Sequence, residues 1–98
     1  MSTELEKAVA AIECSIDTLR HISSDHWANT LEQLLAAIRG GNPFVRKEAL
    51  FKIGQFCHPK ALGDVDTSKI DSREWLAQLG TLHDACAKAF NQLESAQT

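Results

Sequence analysis

Four side chains in this sequence have the chemistry to share a metal ion. Cys57 and His58 adjoin at the end of one apolar segment, and His83 and Cys86 stand three apart on another, so that the second pair shares one helical face. Two thiolates and two imidazoles suit tetrahedral Zn²⁺. Their spacing follows no finger or knuckle pattern, and His58 precedes Pro59 at a helix end. Cysteine is also a common buried apolar residue, and His83 falls midway between Leu76 and Phe90 at steps of seven, which places it with the core. Cys57, His58, His83 and Cys86 therefore stand as an alternative, and no metal site is assigned. Asp64-x-Asp66-x-Ser68 opens like a calcium loop, but Lys69 replaces the turn glycine and Trp75 the bidentate glutamate.

Nucleophilic chemistry fares no better. Cys14 and His21 lie on one side of a helix, yet seven residues span about 10 Å, beyond hydrogen-bond reach. His26, His58 and His83 are scattered, and no paired carboxylates, phosphate loop or dinucleotide fingerprint is present. The expectation is a non-catalytic protein without a cofactor.

A 98-residue chain makes one domain with one core. Two prolines, five glycines and 44% hydrophobic residues argue against long disorder. No apolar run approaches the ~20 residues that span a bilayer. The opening MSTELEKAVA carries acids where an export signal carries bases, and three widely spaced cysteines suit a reducing compartment. These features predict a cytoplasmic protein with no membrane contact. The net charge of −3 is uneven. Residues 1–38 hold two bases against six acids, 39–60 five bases against one acid, and 61–98 three bases against six acids.

The elements that must position these residues read as helices. Leu5, Val9, Ile12, Ile16 and Leu19 step by four and three behind a Thr3–Glu6 capping box, predicting a helix over 3–21. Ala8, Ala11, Ser15 and Thr18 form a small-residue strip beside it that lets a second helix approach closely. Trp27, Leu31, Leu34, Leu35 and Ile38 predict a helix over 26–39, closed by Gly40-Gly41. Asn42 and Pro43 open a third over 43–57. After an ordered loop over 58–71, anchored by Val65 and Ile70, Asp71 opens a fourth helix over 72–94. Its stripe is Trp75, Leu79, Leu82, Cys86, Ala89 and Leu93, widened by Leu76, His83 and Phe90. The fold class is all-α, a single-domain bundle of four principal helices with one long ordered loop before the last.

The third helix is apolar on two sides. Val45, Ala49, Ile53 and Phe56, with Leu50 and Cys57, make one stripe, while Phe44 and Phe51, seven apart, make another. The second stripe reads as an aromatic anchor with a polar rim, and hence as a contact surface for another protein or a second copy of the chain. Arg46, Lys47 and Lys52 would steer an acidic partner, with Asp64 and Asp66 contributing from the loop. A helix-turn-helix-like nucleic-acid regulator is the competing class, since the same cations follow a Gly-Gly turn; the two apolar faces and the acidic balance weigh against it.

The order of features also resembles a family. A Trp27-x3-Leu31 helix, a Gly41-Asn42-Pro43 turn, a segment Lys60-Ala61-Leu62-Gly63-Asp64-Val65 and a leucine-rich last helix are similar to small bacterial helical proteins that include immunity-type members. His58-Pro59-Lys60 stands where those proteins carry a glycine-rich turn. The resemblance implies a stoichiometric inhibitor that occludes a toxin, with no cofactor and no turnover.

Overall fold

A computed structural model describes residues 3–57 and 70–97, and within them four helices: α1 (Thr3–His21), α2 (Asp25–Arg39), α3 (Pro43–Phe56) and α4 (Ser72–Gln97). Each helix ends for a local reason. At the end of α1, Ser24 N donates to Leu19 O (2.8 Å) and Ser23 N to Arg20 O (3.1 Å), a Schellman closure. Ser23 takes the left-handed backbone (φ 63°) that glycine usually supplies there. Ser24 then precedes α2 without a side-chain cap bond, and α2 starts one residue earlier than expected. Of the two glycines after α2, Gly41 is the left-handed one (φ 87°).

The start of α3 follows the expected pattern closely. Asn42 Oδ1 accepts from Phe44 N (3.0 Å) and Val45 N (3.3 Å), and Pro43 fills the first turn. Cys57 is the cap of α3 rather than its last residue. Asp71 opens α4 as expected, its Oδ1 accepting from Arg73 N (2.8 Å). That helix continues three residues past the predicted end at 94. The Thr3 capping side chain, the loop anchor Val65 and the order expected of the loop lie outside the described residues.

The helices form a square. Arg39–Glu13 (2.7 Å) joins the end of α2 to the middle of α1, and Arg20–Glu32 (2.8 Å) joins the end of α1 to the middle of α2. Trp27 meets Phe56 edge-on at 5.2 Å between α2 and α3. Thr18 and Gln78 hydrogen-bond between α1 and α4 (3.2 Å), and Lys47–Glu94 (4.0 Å) spans α3 and α4. Every neighbouring pair therefore runs antiparallel, in up-down-up-down order. The small-residue strip lies along the α1–α4 contact. Ala8 and Ser15 are fully buried there, with Ser15 Oγ bonded back to Ala11 O (2.9 Å).

The core takes Leu5, Ile12, Ile16 and Leu19 from α1, Leu31, Leu35 and Ile38 from α2, and Ala49, Leu50 and Ile53 from α3. From α4 it takes Trp75, Leu79, Leu82, Cys86 and Ala89. The expected stripes hold at their centres and fail at their margins. Val45 is 43% exposed and Leu76 56%, and His83 is exposed rather than at core depth. Each lies just outside the arc its helix turns toward two neighbours. Ile70 is half-buried against the core, as expected of an anchor. Among the described residues, no helix is long and apolar enough to cross a membrane.

Asn42→Ala removes both cap bonds of α3 and should cost about 1 kcal/mol of stability in urea titration. An unchanged midpoint would show that the cap does not hold α3 in place.

Candidate functional site

The outward side of α3 carries the apolar surface of interest. Phe44 is 74% exposed and Phe51 55% exposed, while Ala49, Leu50 and Ile53 on the opposite side are buried. The two rings lie on one line because seven residues complete almost two turns, a separation of about 10 Å. Phe51 leans toward α4, its ring centroid 6.1 Å from that of Phe90. Below it runs a groove of about 510 Å³ between the helices, walled by Phe51, Gly54 and Cys57 on one side and His83, Cys86 and Phe90 on the other. A Cβ at Gly54 would stand 3.9 Å from His83 Cδ2, ordinary contact, so the fold does not require glycine there. What glycine does is leave a notch in the groove floor. The apolar pattern of the sequence does not assign Gly54 and Phe90 to this surface. A glycine inside a helix pattern is a signal for a close approach or a packing need, but it does not say of what.

The cations predicted to flank the rings are all engaged within the chain. Arg46 Nε donates to Ile38 O (2.8 Å), satisfying a carbonyl in the last turn of α2. Lys47 Nζ lies 4.0 Å from Glu94 and 5.6 Å from the Phe90 ring centroid. Lys52 pairs with Glu48 one turn back (3.3 Å). Arg39, at the start of the positive block, holds Glu13. The basic stretch is thus largely compensated by nearby acids and a helix end. Asp64 and Asp66, predicted to join the surface from the loop, lie outside the described residues.

The structure brings three of the four candidate metal ligands to one groove: Cys57, His83 and Cys86. Among the described residues, no group of three His, Cys, Asp or Glu side chains is arranged to hold a metal ion, and His58 lies outside them. Cys57 Sγ donates instead to Ile53 O (3.3 Å). Burial pushes the Cys57 thiol up to about 11. Burial, and the proximity of Cys57, pushes Cys86 up to about 12. Both are protonated at neutral pH and pack as small apolar groups. The third cysteine, Cys14, is exposed, and its Sγ accepts from Gln78 Nε2 (3.1 Å).

No protein family, curated protein or solved structure matches the chain.

The two raised thiols fix a pH dependence. An unfolded thiol releases its proton near 9.0, whereas the native ones hold theirs to about 11 and about 12. The native state therefore binds more protons than the unfolded state through this window, and stability falls as pH rises above the unfolded value. Urea midpoints under reducing conditions should decline from about pH 8 to about pH 10.5, with a shallower slope in Cys86→Ala. Equal slopes in the two proteins would contradict the assignment.

Proposed function

We propose that this chain is a non-catalytic protein-binding module that engages its partner through the outward stripe of α3 and the adjoining α3–α4 groove. The observation that carries this reading is the exposure of Phe44 and Phe51 on a helix whose opposite side already fills its place in the core. Two rings aligned on one side of a helix, one of them walling an apolar groove, differ from the single exposed apolar residues that any surface carries. Aromatic anchors of this kind, rimmed by Gln55, Glu48 and Lys52, are the usual energetic centres of interfaces.

The most concrete form of this function is an immunity-type role in a bacterial cytoplasm, in which the module blocks a toxin by covering its working surface. Affinity then comes from the rings rather than from charge, because the cations of α3 are each held by a partner within the chain. The same pairing weighs against duplex binding, which draws on cations available to phosphates.

Purification of the tagged chain from its native cells should recover one protein in equal amount. Phe44→Ser with Phe51→Ser should weaken that complex by more than about tenfold. The same double substitution should leave the melting of the isolated chain close to that of the parent, since both rings are more than half exposed. Recovery unchanged by the double substitution would sink the surface assignment, and so would loss of the fold.

A further inference from the structure

The spacing along the exposed stripe of α3 lets two copies be laid antiparallel with complementary contacts. Phe44 and Gly54 each stand five residues from Ala49, one toward each end of the helix. If two α3 helices lie antiparallel about a two-fold axis level with Ala49, Phe44 of one copy comes level with Gly54 of the other, where the groove has its notch. The relation is reciprocal, as a two-fold interface requires. In the same register, Glu48 of one copy lies within about 3 Å, measured along the axis, of Lys52 of the other, at 1.5 Å per residue. Glu48 and Lys52 are on the same flank of the stripe and are both exposed, with side chains 66% and 51% accessible. Lys47, on the other flank, is drawn back onto α4 by Glu94 and Phe90, which keeps its charge away from its own symmetry mate.

We infer that α3 pairs with a second copy of this chain, antiparallel about Ala49, with Phe44 seated in the partner's Phe51–Gly54–Phe90 groove and Glu48 and Lys52 exchanging ion pairs across the axis. The inference rests on reading the stripe as a binding surface and specifies one occupant for it. A foreign partner using the same rings would compete with this pairing, so self-association marks the unengaged state of the module.

The crossed ion pairs permit a test that the contact within one helix cannot imitate. Glu48→Lys alone places two cations opposite each other in the dimer, and Lys52→Glu alone places two anions there. Each variant also loses its internal Glu48–Lys52 pair, so neither can regain it on mixing. Sedimentation of the purified parent at high micromolar concentration should give twice the 10.8 kDa chain mass. Each single variant should need a concentration at least about tenfold higher than the parent to stay dimeric, and an equimolar mixture of the two should recover a mixed dimer. Phe44→Ser should weaken the parent dimer to a similar or larger degree, with circular dichroism showing that every variant keeps its helices. A parent monomeric at all concentrations would overturn the pairing, as would a mixture that associates no better than its components. If that monomer still captures a foreign protein through Phe44 and Phe51, the proposed function stands without the pairing. A dimer with this charge-swap behaviour and no foreign partner would do the opposite, supporting the pairing and removing the proposed function.

Discussion

A square of four antiparallel helices gives each helix two neighbours and one open side, and that limit governs how α3 can be read. Its buried residues Ala49, Leu50 and Ile53 already fill the arc facing α2, α4 and the centre. Phe44 and Phe51 fall on the remaining arc, where the other three helices leave both rings more than half exposed. Phe51 gains a little cover by tilting onto Phe90, which is why it is less exposed than Phe44. The orientation of α3 that makes this so is held at both of its sides. Asn42 fixes the first turn, Arg46 ties that turn to the Ile38 carbonyl of α2, and Lys47 reaches Glu94 of α4. A rotation that buried the rings would break these contacts and expose Leu50 and Ile53 instead.

The same contacts pair charges that are unevenly distributed along the sequence. One acid of residues 1–38 meets one base of residues 39–60 because α1 and α2 are antiparallel, which brings Glu13 to Arg39, and Lys47 finds its acid, Glu94, on α4. Where no acid of another helix is near, α3 supplies its own in Glu48. Exposed pairs of this sort add little to stability. Their consequence is for recognition: they lower the long-range attraction that an uncompensated basic helix would exert, and in the proposed function affinity rests on apolar contact.

Most of the architecture was legible in the sequence, and the reason is that the helices have clear apolar periods bounded by residues with defined backbone preferences. Asn42-Pro43 and Asp71 act where expected because capping is a local property, set within a few residues. The closure of α1 was less visible, since Ser23 occupies a position where glycine is the usual sign. Stripe width was the main source of error. Leu76, His83 and Phe90 are seven apart and look like one apolar edge, but only Phe90 is covered, because α3 places Phe51 and Lys47 beside it. Leu76 and His83 lie on the same line and remain exposed. How far a buried stripe extends around a helix depends on what stands next to it, and that is a tertiary property. The two-sided character of α3 could be read because its rings and its core residues are separated by more than a quarter turn; the destination of each side could not.

The candidate site follows from the same distinction between local and tertiary information. The sequence pattern groups Cys57, His83 and Cys86 as neighbours, and they are, yet their chemistry is decided by burial, which keeps the two thiols protonated and gives the groove an apolar lining. An apolar groove closed on itself would be ordinary core. This one opens beside two exposed rings and retains a glycine notch that the helix does not need for its own packing. Alanine at Gly54 would favour the helix by about 1 kcal/mol and would meet no obstacle. The chain therefore keeps a less stable residue where a more stable one would fit, at the position where added bulk would narrow the groove. Gly80 of α4 also has room for a Cβ, with nothing within 4 Å of one, so the notch at Gly54 bears on the proposed contact surface only together with the exposed rings and the groove beside it.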